Sequence, residues 1–121
     1  MQNAISNTQS DVQPDSVQRI CADVINLVAR EKRVPPRLLT HPSRCRRFTA
    51  QTRQLAMYLA HVVYGCPLQD IADIFGRNRS TVSHACALVE DRRDDPVFDA
   101  EVVQFETLLE VMLARQVRHA R

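Results

Sequence analysis

Residues 68–85, LQDIADIFGRNRSTVSHA, constrain the fold of this chain more than any other stretch. They read as the core of two short helices, roughly 68–75 and 79–92, hinged at Phe75-Gly76. Ile71, Ala72 and Phe75 fall on one face of the first helix, and Val82, Ala85 and Cys86 continue with Val89 on one face of the second. Gly76 permits a left-handed turn between them, and Ala72 is small enough to let the helices approach closely. That pattern leaves Asn78, Arg79, Ser80, Thr81, Ser83 and His84 on the outside. An exposed helix start carrying Asn, Arg, Ser and Thr has chemistry suited to duplex DNA. Small side chains approach base edges, and Arg reaches guanine or phosphate.

The flanking sequence supplies helices to hold this pair. Residues 1–14 are polar and are expected to form a disordered arm. Asp15 or Ser16 can cap a first helix running to about Lys32, with an inner stripe of Val17, Ile20, Cys21, Val24, Leu27 and Val28. Pro35-Pro36 ends that helix, and residues 36–39 can make a short helical turn. Residues 41–48 form a Pro- and Arg-rich loop, after which Thr49 or Thr52 can cap a helix over 50–64 with Leu55, Leu59, Val62 and Val63 inside. Gly65-Cys66-Pro67 is a stop-and-restart signal, and Asp95-Pro96 offers a cap and a first-turn proline for a last helix over 96–117. Its stripe is Phe98, Val102, Phe105, Leu109, Met112 and Leu113. With 45% hydrophobic residues, two glycines and no strand-like alternation of useful length, the chain is expected to be all-α. The expected organisation is a compact helical bundle containing a helix-turn-helix over 15–93, with an amphipathic C-terminal helix over 94–121 packing on it or extending it.

The net charge of +2 conceals a gradient along the chain: +1 over residues 1–40, +4 over 41–84 and −3 over 85–121. Arg30, Lys32, Arg33, Arg37, Arg44, Arg46, Arg47 and Arg53 stand against the single acid Glu31 in the block just upstream of the motif. A positive block beside an acidic rear is the footprint of an oriented polyanion binder. Fifteen of the 16 basic residues are Arg, the side chain suited to bidentate contact with phosphate and guanine.

Other classes find little support. Cys21, Cys45, Cys66 and Cys86 show no CxxC spacing, and no His pair completes a ligand set, so neither a metal nor another cofactor is expected. Reduced thiols acting as small hydrophobes are the simpler reading. His61 and His84 lie on different helices, His41 and His119 read as exposed, and Cys66 has no identifiable base, so no catalytic residue and no enzyme activity are expected. The apolar runs fall far short of the roughly 20 residues that span a bilayer, and the polar start has no signal-peptide pattern. The expected location is the bacterial cytosol, at the nucleoid, with no membrane partner.

The segments RQLAMYL at 53–59, LQDI at 68–71 and FGRNRSTVSHA at 75–85 together resemble the C-terminal DNA-binding domain (domain IV) of the bacterial chromosomal replication initiators, the DnaA family. The likeness runs over about residues 16–92, and a generic helix-turn-helix would not carry both halves of the pattern. The resemblance implies a Trp-repressor-like helical bundle. Its recognition helix would enter the major groove of a short asymmetric box while a basic loop reaches the adjacent minor groove. Carried over by position, Asn78, Arg79, Ser80 and Thr81 are the base-reading residues. Arg53 and Gln54 become phosphate or groove-edge contacts, and Leu68 and Gln69 open a helix whose N–H groups can hold a phosphate. Arg44, Arg46 and Arg47 fall in the basic loop, while Arg77, Ser83 and His84 lie along the backbone edge.

The chain also departs from that family. The usual F-G-G-R-D-H-T-T-V has one glycine more, and here Asn78 and Arg79 replace an acid and a histidine. The amide prefers adenine where the acid accepts from cytosine, and Arg prefers guanine. Cys45 stands where the family tends to carry Arg. These changes predict a related or relaxed site rather than the standard initiator box. The sequence contains no GxxxxGK[ST] phosphate loop, so binding is expected without ATP and without origin melting. The leading expectation is a sequence-specific binder of double-stranded DNA, in replication control or transcription. The alternative is an interaction module of the same fold that has lost specific DNA binding, docking a protein partner or a second copy through the Phe98/Phe105 stripe.

Overall fold

The computed structural model describes residues 14–41 and 46–119, and side chains over 16–41 and 46–115. Of the expected arm at 1–14, residues 1–13 lie outside the described residues and Pro14 already opens the first helix; Arg44 and Cys45 in the basic loop also lie outside the described residues. Six helices follow one another: α1 Pro14–Lys32, α2 Pro36–Thr40, α3 Arg47–Val62, α4 Leu68–Phe75, α5 Arg79–Arg92 and α6 Pro96–His119. There is no strand among the described residues.

Helix α3 is the hub. Residues 55–60 are buried without a break, so this helix is enclosed on nearly every side, and its most extensive neighbours are α5 and α1. Leu59, Ile71, Phe75, Val82 and Leu109 are each completely shielded. Each such side chain contributes roughly 1.5–3 kcal/mol of hydrophobic stabilisation. The stripe on α1 is buried as the periodicity predicts, with Ile20 at its edge and Ile25 and Ala29 added to it.

The helix-turn-helix bounds match the sequence reading, and the turn shows why. Gly76 adopts φ 65°, ψ 37°, and the Arg77 N–H donates back to the Ala72 carbonyl at 2.9 Å. A Cβ at Gly76 would meet nothing within 4 Å, so the requirement for glycine is conformational and not one of space. Ala72 is fully buried beneath the turn.

Four details differ from the sequence reading. Helix α1 already contains Asp15 and Ser16, so neither stands before it as a cap. Helix α3 begins at Arg47 instead of near residue 50. Thr52 is buried within it and donates its hydroxyl to the Phe48 carbonyl at 2.8 Å, which satisfies the side chain internally and removes it from capping. Val62, expected inside, is 47% exposed, because α3 turns its buried face to Met57, Tyr58 and Ala60 before it ends.

The last helix packs on the domain. Asp95 accepts from the Val97 N–H at 3.0 Å, the cap expected from Asp95-Pro96. Phe98, Val102, Phe105 and Leu109 are buried, and the Tyr64 hydroxyl donates to the Leu109 carbonyl at 3.1 Å. The Phe98/Phe105 stripe is therefore consumed inside the chain and is not a free docking face. No helix among the described residues is long and apolar enough to cross a membrane.

Candidate nucleic-acid interface

The start of α5 is built to leave polar groups unspent. Asn78 is its N-cap in extended geometry, and its carbonyl accepts from the Thr81 and Val82 N–H groups at 3.0 and 3.2 Å. Its carboxamide makes no capping bond. Asn78, Arg79, Ser80, Thr81, Ser83 and His84 are all exposed, while Val82, Ala85 and Val89 are buried and Cys86 is half-buried. The helix is thus fixed by one face and presents the other, as the pattern predicts.

Two grooves flank the exposed face. A broad one of about 620 Å³ runs between Leu68 and the α5 side chains of Arg79, Ser80, Ser83, His84 and Ala87. A tighter one of about 90 Å³ lies between Ala50, Arg53 and Gln54 of α3 and Arg77, Thr81 and His84. His84 lines both, which puts it on the crest. The structure therefore brings Gln54 and Leu68 alongside the tip at 78–81. Gln69 is exposed one residue on, with its amide donating to Asp73 at 2.9 Å.

The beginnings of α3 and α4 also lack side-chain caps. Their N-cap residues are Arg46 and Pro67, and neither makes a capping bond. The first intrahelical bond of α4 runs from the Ile71 N–H to the Pro67 carbonyl, so the preceding first-turn N–H groups point out of the helix end. Such an end attracts anions. Arg46 and Arg47 are exposed at the start of α3. Arg47 stands toward the flank, close enough to the Arg92 guanidinium to depress it, a smaller effect there than burial.

Two arginines sit differently from the sequence expectation. Arg53 is buried at 7% exposure, and its guanidinium donates to the Leu39 and Leu38 carbonyls at 2.7 and 3.0 Å. Arg77 is half-buried and donates to the Phe75 and His41 carbonyls, both at 3.0 Å. Both guanidiniums give these donors to main-chain carbonyls at helix ends, Arg53 from a buried position and Arg77 from a half-buried one. Their acceptors lie up to 36 residues away, a link with no local signature.

Arg93 is a further residue that the sequence concealed, within what reads as a hydrophilic break. It donates to Asp99 at 2.5 Å, to the Tyr58 hydroxyl at 2.9 Å and to Glu106 at 3.1 Å. The Tyr58 hydroxyl donates onward to Glu90 at 3.0 Å. This network, chiefly the Asp99 bond, holds the Arg93 guanidinium firmly charged. Burial pushes the Tyr58 phenol up.

Cys21 and Cys66 are fully buried with paired thiols, which drives the Cys21 thiol up, and burial raises Cys86 to about 11. The same pairing pulls the Cys66 thiol down, and both side chains fill the core as small groups. No group of three or more His, Cys, Asp or Glu among the described residues could hold a metal ion.

The chain matches the family described as "Bacterial dnaA protein helix-turn-helix" over residues 21–89, from the middle of α1 almost to the end of α5. It is 36% identical over 98 residues to the chromosomal replication initiator protein DnaA of Acinetobacter baumannii (strain AYE), an alignment covering 79% of this chain and 19% of that protein. The DnaA of Acinetobacter baylyi (strain ATCC 33305 / BD413 / ADP1) is 34% identical over 98 residues, with the same 79% and 19% coverage. The chain thus spans about a fifth of the length of these relatives. The matched span contains the buried hub, the Gly76 turn and the whole exposed tip, and the chain belongs to the bacterial DnaA helix-turn-helix family.

Proposed function

We propose that this chain binds double-stranded DNA sequence-specifically, with the α5 tip in the major groove and exposed arginines on the phosphates. One observation carries this reading: the first turn of α5 exposes Asn78, Arg79, Ser80 and Thr81 together, with the Asn78 amide unspent on its own helix. The uncapped start of α4 and the exposed Arg46 and Arg47 supply a sequence-independent grip. Asn78 selects adenine and Arg79 guanine, so the preferred site is related to the initiator box without being identical to it. Arg53 and Arg77 support this surface from beneath, through the carbonyls they hold. Membership in the replication-initiator family favours a part in replication control, with regulation of transcription as the other outlet of a DNA reader. Arg44 adds to the grip from the basic loop, and the working compartment is the cytosol at the nucleoid.

Titration of the labelled chain with duplex at low ionic strength tests the reading. The amide signals of residues 78–84 and 46–54 are expected to shift, and affinity is expected to fall linearly in log–log against salt. Signals that stay in place would overturn it. Selection of bound duplexes from a random pool then identifies the site. A recovered sequence near the initiator box points to replication origins, and an unrelated one to a dedicated regulator.

A further inference from the structure

One guanidinium ties the turn of the helix-turn-helix to a distant part of the chain. Arg77 donates through Nη1 to the Phe75 carbonyl and through Nη2 to the His41 carbonyl, each at 3.0 Å. Phe75 is the last residue of α4, and His41 is the C-cap of α2. Carbonyls at helix C-termini carry partial negative charge, and the planar guanidinium fork can bridge two of them at once. A lysine ammonium is a point donor on a flexible stem and does not reproduce that fork. Arg53, in the same groove, holds the Leu38 and Leu39 carbonyls of α2. Helix α2 has five residues and no side-chain cap; Arg53 ties it to α3, and Arg77 ties its C-cap to the turn of the motif. The exposed Arg37 lies on α2, and the exposed Arg46 stands where the chain re-enters α3.

We propose that Arg77 is a positioning residue for DNA recognition. Through the His41 carbonyl it holds α2 and its exposed Arg37 in register with the tip at 78–81, so that both engage one duplex together. This rests on the DNA-binding reading above. The competing role is a direct grip on a phosphate, and the two roles differ in additivity. A direct grip loses its own counterion release whatever its neighbours do, whereas a positioning residue matters only while the groups it positions are present.

The test is a double-mutant cycle on the full chain, with affinity for the selected duplex measured over a salt series. Arg77→Ala is expected to weaken binding about tenfold in the wild-type background, and less than about twofold when Arg37→Ala is already in place. Arg77→Lys keeps the charge and is expected to bind as poorly as Arg77→Ala. It also serves as the second variant should Arg77→Ala fold poorly, with thermal melts checking both. Equal losses in the two backgrounds, a salt slope lowered by about 1 in each, and rescue by lysine would overturn the proposal and establish a phosphate contact. Absence of salt-dependent binding by the unmodified chain would instead strike the DNA-binding reading and take this inference with it.

Discussion

Asn78 and Asp95 open consecutive helices, and the molecule uses them in opposite ways. Asp95 turns its carboxylate onto the Val97 N–H and closes the start of α6. Asn78 leaves its amide outward and the start of α5 unclosed. The same contrast extends to the arginines nearby. Arg93, toward α6, is enclosed by Asp99, Tyr58 and Glu106, while Arg79, at the tip, is exposed. On one side the start of α6 closes on itself, and on the other the first turn of α5 stays open. Water satisfies such groups in the free chain at little cost, so an unspent cap beside exposed arginines leaves donors and acceptors available to a partner.

Substitutions can break or sharpen this contrast. The largest effect is expected from Phe75→Ala, which empties a completely shielded site beneath the turn. It should cost about 3–5 kcal/mol in chemical denaturation and abolish both sides at once. A loss below about 1 kcal/mol would mean that the motif does not share the common core. Arg93→Ala removes three bonds from a part-exposed network and should cost about 2 kcal/mol of stability. The folded variant should bind DNA as before; an affinity loss comparable to that of a tip variant would erase the distinction between the sides.

Arg79→Ala should do the reverse. It is expected to cost about 1–3 kcal/mol of binding and relax one base-pair position, with stability moved by less than about 0.5 kcal/mol. Arg47→Ala should weaken all duplexes alike and lower the salt slope by about 1, and competition gel shifts against scrambled DNA separate the two outcomes. The smallest and sharpest comparison pairs the two caps. Asp95→Ala should cost about 1 kcal/mol of stability and no affinity, and Asn78→Ala a few tenths of that while losing selectivity. Calorimetry and binding curves on the same two samples decide it.

The helix-turn-helix was legible because its signals are local. Gly76 falls at the hinge, and the apolar positions 71, 72, 75, 82, 85 and 89 all land inside. The exposed tip was legible for the same reason. Capping was read less well where competing bonds existed. Thr52 looked like a cap, yet its hydroxyl bonds one turn back along its own helix. Val62 looked buried because periodicity cannot say where a helix leaves the core. Arg53 looked exposed because charge predicts exposure unless a partner is known, and its partners are carbonyls on another helix; half-buried Arg77 has one partner beside it at Phe75 and one far off at His41.

Composition, periodicity and the spacing of turn residues were enough to establish an all-α chain, its motif helices and the face that carries Asn78 to Thr81. Those features depend on contacts within a few residues, and a linear string records them. The angles at which helices cross leave no such record. Only the folded arrangement brings Arg77 to His41, Tyr64 to Leu109 and Arg93 to Glu106. It therefore decided which arginines are held on carbonyls and carboxylates and which stand exposed, because that choice is made by neighbours far away along the chain.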